Sequence, residues 1–130
     1  MPTQRRPSRF GAGLTRRTGV DPRERARETL AREVGYTRKP HGGKLRVALC
    51  FPNTYFVGMS NLGLQTVYRL FNANDRVVCE RVFLPAKQEL PTTGGRRQEL
   101  VTLESQTPVR DFDILAFSVS FEWEIGRAHV

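Results

Sequence analysis

Between Phe51 and Leu64 the chain reads FPNTYFVGMSNLGL. This turn is rich in hydrogen-bonding groups and carries no charge. Asn53, Tyr55, Ser60 and Asn61 supply carboxamides, a phenol and a hydroxyl, and Pro52 fixes the entry. Gly58 and Gly63 permit close backbone approach, either by a ligand or by the sheet. A second polar set, Ser118, Ser120 and Glu122, follows a strong strand signal later in the chain. The first turn has no carboxylate for proton transfer and no Ser/His pair for nucleophilic attack. It lacks the Gly-Lys-Ser/Thr of a phosphate-binding loop, and Gly58 and Gly63 are wrongly spaced for a dinucleotide fingerprint. The chemistry such groups support is recognition of a large polar ligand. A structural reading stands beside it: Asn53 and Asn61 satisfy local backbone, and Tyr55 packs on the sheet edge.

The elements around these residues predict an α/β fold. Leu45 to Cys50 is apolar on both parities, the pattern of a strand buried on both faces. A helix from about Asn61 to Asn72 carries Leu64, Val67, Tyr68 and Phe71 on one stripe, with Ser60 or Asn61 as its cap. Val77 to Phe83 is a second strand, so the three elements form a parallel βαβ unit with a right-handed crossover. Leu100 to Leu103 reads as a short strand and Ile114 to Phe121 as a strong one. The sum is a partial doubly wound parallel sheet over residues 44–123. In such sheets ligands bind beyond the C-terminal strand ends, where both polar sets fall. Upstream, Asp21, Pro22 and Glu24 open a helix with Ala26, Leu30 and Val34 on one stripe and Gly35 as terminator. This helix and the KPHGG linker occupy residues 21–43, with His41 expected to be a solvated loop residue.

The chain has 130 residues, a net charge of +8 and a pI near 10.5. Residues 1–46 hold 13 Lys/Arg against 4 Asp/Glu, and the remainder is close to neutral. The basicity therefore belongs to the N-terminal part, from Arg5 to Arg46, of which residues 1–20 form a basic arm whose composition reads as disordered. An RNA- or anion-binding role for that arm is the alternative from another class. Few aromatics for stacking and no RNA module argue against nucleic acid as a partner. Cys50 and Cys79 lie inside apolar strands and read as buried free thiols, not metal ligands. No apolar run approaches a membrane span, and no secretory h-region precedes the domain, so the expected location is cytoplasmic.

Asn53 to Gly58, NTYFVG, resembles the Asp-x-His-x-x-Gly loop of cobalamin-binding Rossmann-like domains. Tyr55 takes the histidine position. More broadly, RVALCFPNTYFVGMSNLGLQTVYRLFN, CERVFLP, TLES and RDFDILAFSVSFEWE are similar to the N-terminal segment of cobalamin-binding-domain radical SAM proteins. The similarity spans roughly Glu28 to Trp123. It implies a flavodoxin-like cobalamin domain, with Pro52, Asn53, Tyr55, Gly58, Ser60, Asn61, Gly63, Ser118, Ser120 and Glu122 facing the cofactor. It also implies a partner, the radical SAM barrel of the same polypeptide, holding an iron–sulfur cluster and S-adenosylmethionine. Two departures qualify the match. Tyr55 removes the histidine ligand to cobalt, so cobalamin is expected to bind without it. The family's Ser-x-Leu segment reads Ser118-Val119-Ser120.

The 130 residues contain no Cys-x-x-x-Cys-x-x-Cys motif, so no catalysis is expected of this region alone. EIGRAHV, residues 124–130, matches a translated sequencing adapter and is expected to be a non-native tail on a truncated frame. A structural Rossmann-like domain without cofactor is the third reading.

Overall fold

In a computed structural model, residues 21–86, 98–120, 126 and 127 are described. The expected basic arm, Glu122 and most of the expected non-native tail lie outside them. The sheet is built on β1 (Leu45–Phe51), whose last five residues are all buried. β2 (Val77–Phe83) pairs with it in parallel, from Leu45 opposite Val77 to Phe51 opposite Phe83. β3 (Ile114–Phe117) pairs in parallel on the other side, from Val47 opposite Ile114 to Cys50 opposite Phe117. The order is β2-β1-β3, the expected α/β arrangement with the most apolar strand in the centre. Asp113 ties β3 to β1 by accepting from the Arg46 backbone N–H at 2.9 Å.

The alternation of side chains across the sheet makes two faces. Val47, Leu49, Phe51 and Cys79 form the core on one of them, with Leu64 and Tyr68 from α3 (Leu62–Asn72); Val67 and Phe71 pack against it. Ala48, Cys50 and Val82 line the other and are covered by Leu100, Val109 and Phe112. The cover on that second face is irregular. The strand expected at Leu100 to Leu103 does not form; Val101 makes an isolated antiparallel bridge to Pro108. Pro108 has no N–H to extend a ladder, and the turn between them places Gln106 at φ 54°.

The two edges of the sheet differ. The outer edge of β2 is sealed by polar groups. The Asn72 carboxamide accepts from Cys79 N and donates to Cys79 O, both at 3.0 Å. Glu104 accepts from Arg81 N at 2.9 Å, and Leu103 N donates to Arg81 O at 2.8 Å. Lys39 Nζ donates to Val77 O at 3.1 Å. These contacts replace a neighbouring strand. On β3, Ile114, Leu115 and Phe117 remain 38–44% exposed. Among the described residues no strand pairs with its outer edge.

The N-terminal segment corrects two expectations. α1 (Pro22–Ala31) starts as read, with Asp21 accepting from Arg23 N at 3.1 Å. It stops at Ala31, however, and the Ala26–Leu30–Val34 stripe breaks: Leu30 is buried, whereas Val34 is 97% exposed. Gly35, at φ +90°, turns the chain away there. His41 is only partly solvated and is held by partners. Its Nε2 lies 3.0 Å from Glu80 Oε2, and its ring meets Phe112 edge-on. Thr37 and Lys39 are clamped too, the first through its N–H and carbonyl to the Tyr68 hydroxyl, the second onto carbonyls at the end of α3. The segment lies along the sheet as a strap.

Burial pushes both thiols up to about 12. Neither thiol should react with iodoacetamide at neutral pH until the protein unfolds. The folded pKa values are raised, so the stability from the protonated thiols is complete below the ordinary value of about 8.5. It is lost as pH climbs from there towards 12, and the urea midpoint should fall across that interval. Rapid native labelling of both cysteines would contradict this burial.

Candidate functional site

The strand order changes direction at β1: the chain leaves it to form β2 on one side, then returns to β3 on the other. Ligands in open α/β sheets bind at such a switch, beyond the C-terminal strand ends. One residue of each expected polar set meets the other there, Asn61 and Ser120. Asn61 caps α3, its Oδ1 accepting from Leu64 N at 2.9 Å, and its Nδ2 donates to Ser120 Oγ at 2.6 Å. Ser118 N donates to Cys50 O at 2.9 Å, extending the β1–β3 pairing beyond β3 itself. One carboxamide therefore joins the turn after β1 to the segment after β3.

The remaining candidates divide between support and surface. Pro52 is buried at the end of β1. Asn53 is used locally, its Oδ1 accepting from Thr54 N at 2.8 Å and its carbonyl from Leu84 N at 2.9 Å. Ser60 Oγ donates back to Phe56 O at 2.8 Å, closing the short helix α2 (Tyr55–Met59). Gly58 is approached by the sheet: a Cβ there would lie 2.3 Å from Phe83 Cε1 and 3.2 Å from Phe51 Cδ1. At Gly63 a Cβ would stand 3.1 Å from the capping Asn61 Oδ1.

Tyr55 turns inward. Its ring meets Phe83 edge-on at 5.4 Å, and its hydroxyl donates to Glu33 Oε2 at 2.9 Å. Burial, and then the Glu33 carboxylate, push the phenol up to about 12, so it is neutral at physiological pH. Glu33 also pairs with Arg81 Nη1 at 2.8 Å. Arg81 has only 2% of its side chain exposed; its Nε donates to Glu104 at 2.7 Å, and its guanidinium lies 4.5 Å from the Tyr68 ring centre. Its Nη1 also reaches Met59 Sδ at 3.2 Å. Burial alone would lower the guanidinium's pKa, but Glu104 and Glu33 outweigh it, and Arg81 stays charged. On the opposite face buried Glu80 accepts from Thr102 Oγ1 at 2.9 Å and from Ser105 Oγ. Glu33, Arg81, Glu104 and Glu80 were not among the residues singled out from the sequence. The available signal was the charged pair Glu80-Arg81 inside VVCERVF, because charges in a buried strand require partners.

A cleft of about 510 Å³ opens between α1, Thr54–Phe56 and the exit of β2, with Arg25, Thr29, Tyr55 and Phe83 in its walls. Asn61, Ser118 and Ser120 do not line it. Among the described residues no group of three or more His, Cys, Asp and Glu is arranged to hold a metal ion, and no helix is long and apolar enough to cross a membrane.

A parallel sheet with its polar turns joined at the order switch defines a partial doubly wound α/β domain. A family model described as radical SAM proteins, N-terminal, matches residues 63–127, half of the chain. The chain belongs to this family, as an N-terminal region of radical SAM proteins. The match covers α3 through β3 and begins two residues after Asn61. No curated protein and no solved structure matches the chain.

The fit at Gly58 gives a direct test. Gly58→Ala should destabilise the fold by about 1–3 kcal/mol through overpacking against Phe83, read as a lower urea midpoint at constant slope. Adding Phe83→Leu should recover part of the loss. An unchanged midpoint for Gly58→Ala would show that the turn is not seated on the sheet.

Proposed function

We propose that this region is the cofactor-presenting module of a radical SAM enzyme and that the cofactor is a cobalamin held without a protein ligand to cobalt. The Asn61–Ser120 hydrogen bond carries the reading, because it joins two uncharged polar turns at the strand-order switch. Carboxamide and hydroxyl groups suit the amide-rich edge of a corrin ring. Residue 55 does not suit an axial ligand, since its phenol is neutral and already donates to Glu33. Asn61, Ser118 and Ser120 would hold the cofactor's edge. When bound, a cobalamin supplies cobalt-centred radical or group-carrier chemistry. In this proposal the module itself catalyses nothing. Its partner is the radical SAM barrel of the same polypeptide, where the iron–sulfur cluster and S-adenosylmethionine reside. The open edge and exposed apolar side chains of β3 support an extension of the sheet on that side.

Titration with hydroxocobalamin tests the reading. The visible spectrum should change saturably, with no histidine-ligated signature. Ser120→Ala removes the acceptor of the Asn61 Nδ2 hydrogen bond and leaves the Asn61 cap on Leu64 N in place. It should weaken binding about tenfold, as expected for one lost hydrogen bond. No spectral change at high cobalamin would refute the cobalamin assignment.

A further inference from the structure

The turn that faces the proposed ligand is held from beneath by a residue of the N-terminal segment. Glu33 lies outside the sheet, in the turn after α1, and is largely buried, with 10% of its side chain exposed. Its two oxygens are divided: Oε2 accepts from the Tyr55 hydroxyl at 2.9 Å and Oε1 pairs with Arg81 Nη1 at 2.8 Å. Arg81 Nη1 also reaches Met59 Sδ. Tyr55 and Met59 are the first and last residues of α2. One guanidinium thus fixes both ends of this five-residue helix, the far end directly and the near end through Glu33. An isolated helix of this length has no stability of its own. Thr54 lacks a side-chain capping bond, so tertiary anchors must supply the order.

We propose that Glu33 is a positioning residue for the ligand-facing turn, a latch by which docking of the α1 segment sets the order of residues 54–59. The functional meaning of the latch rests on the cofactor-presenting reading above; the latch itself does not. It explains why a tyrosine at position 55 points into the protein: its hydroxyl completes the Glu33–Arg81 chain. A ligand at this end of the sheet then meets Asn61 and Ser120, not the phenol.

The test uses the full chain with Glu33→Gln, Tyr55→Phe and the double variant. Hydrogen exchange is followed at residues 54–59, where Gly58 N–H donates to Thr54 O, with β1 amides as the internal control. Each single variant should speed exchange in the turn about tenfold and leave β1 unchanged. The double variant should be no faster than Glu33→Gln alone, because that change already removes the carboxylate that receives the Tyr55 hydroxyl. An ultraviolet phenolate titration gives a second readout. In Glu33→Gln one tyrosine should ionise below its native value of about 12, and in Tyr55→Phe that transition should vanish. Turn exchange unaffected by either variant, or additive effects in the double variant, would overturn the proposal. Loss of cobalamin binding does not enter these readouts, so failure of the cofactor assignment is detected separately.

Discussion

A guanidinium buried at the centre of an edge strand imposes a demand on everything near it. Arg81 is shielded from water, and a charge in that setting persists only if it is paired and hydrogen-bonded. Three parts of the chain meet most of the demand, though the buried Nη2 has no hydrogen-bond partner among the described residues. Glu104 comes from the irregular cover of the second face and binds both the side chain and the backbone N–H of Arg81. Glu33 comes from the segment before the sheet, and Tyr68 comes from α3. Losing one carboxylate would leave the guanidinium still paired with the other, so each costs less to remove than a sole buried partner would. The same residue therefore closes the edge of β2, docks the N-terminal segment and steadies the turn after β1. Stability and the candidate site share one node.

The asymmetry of the sheet follows from this node. A strand edge must be paired, covered or charged, and β2 is covered by the Asn72 carboxamide, Glu104 and Lys39. β3 has no such cover among the described residues, and its apolar side chains stand partly exposed on both faces. The polar turns lie between these two edges, at the ends of β1 and β3.

The sheet was legible because its strands are apolar on both parities, a pattern that burial on two faces produces directly. Val77 to Phe83 reads the same in the sequence and in the structure, and Asn61 was recognisable as a cap from its type and place. The segment covering the second face was not legible. It is held by side-chain contacts to backbone and by one isolated bridge, and neither leaves a periodic trace. His41 was misread because its neighbours are Pro and Gly, whereas its environment is decided by Glu80, far along the chain. Packing of Tyr55 on the sheet edge was one of the two readings the turn allowed, and its ring meets Phe83; Glu33 as the partner of its hydroxyl was hidden. Local sequence fixes the phenol's place in the turn, but Glu33 and Phe83 fix its direction.

The most direct measurement of this account is hydrogen exchange at the Arg81 Nε–H, followed by nitrogen-edited NMR and assigned by comparison with Glu104→Gln. The buried pair predicts a distinct, slowly exchanging signal at neutral pH that is lost in Glu104→Gln. An Arg81 Nε–H that exchanges as fast as those of exposed arginines would contradict it.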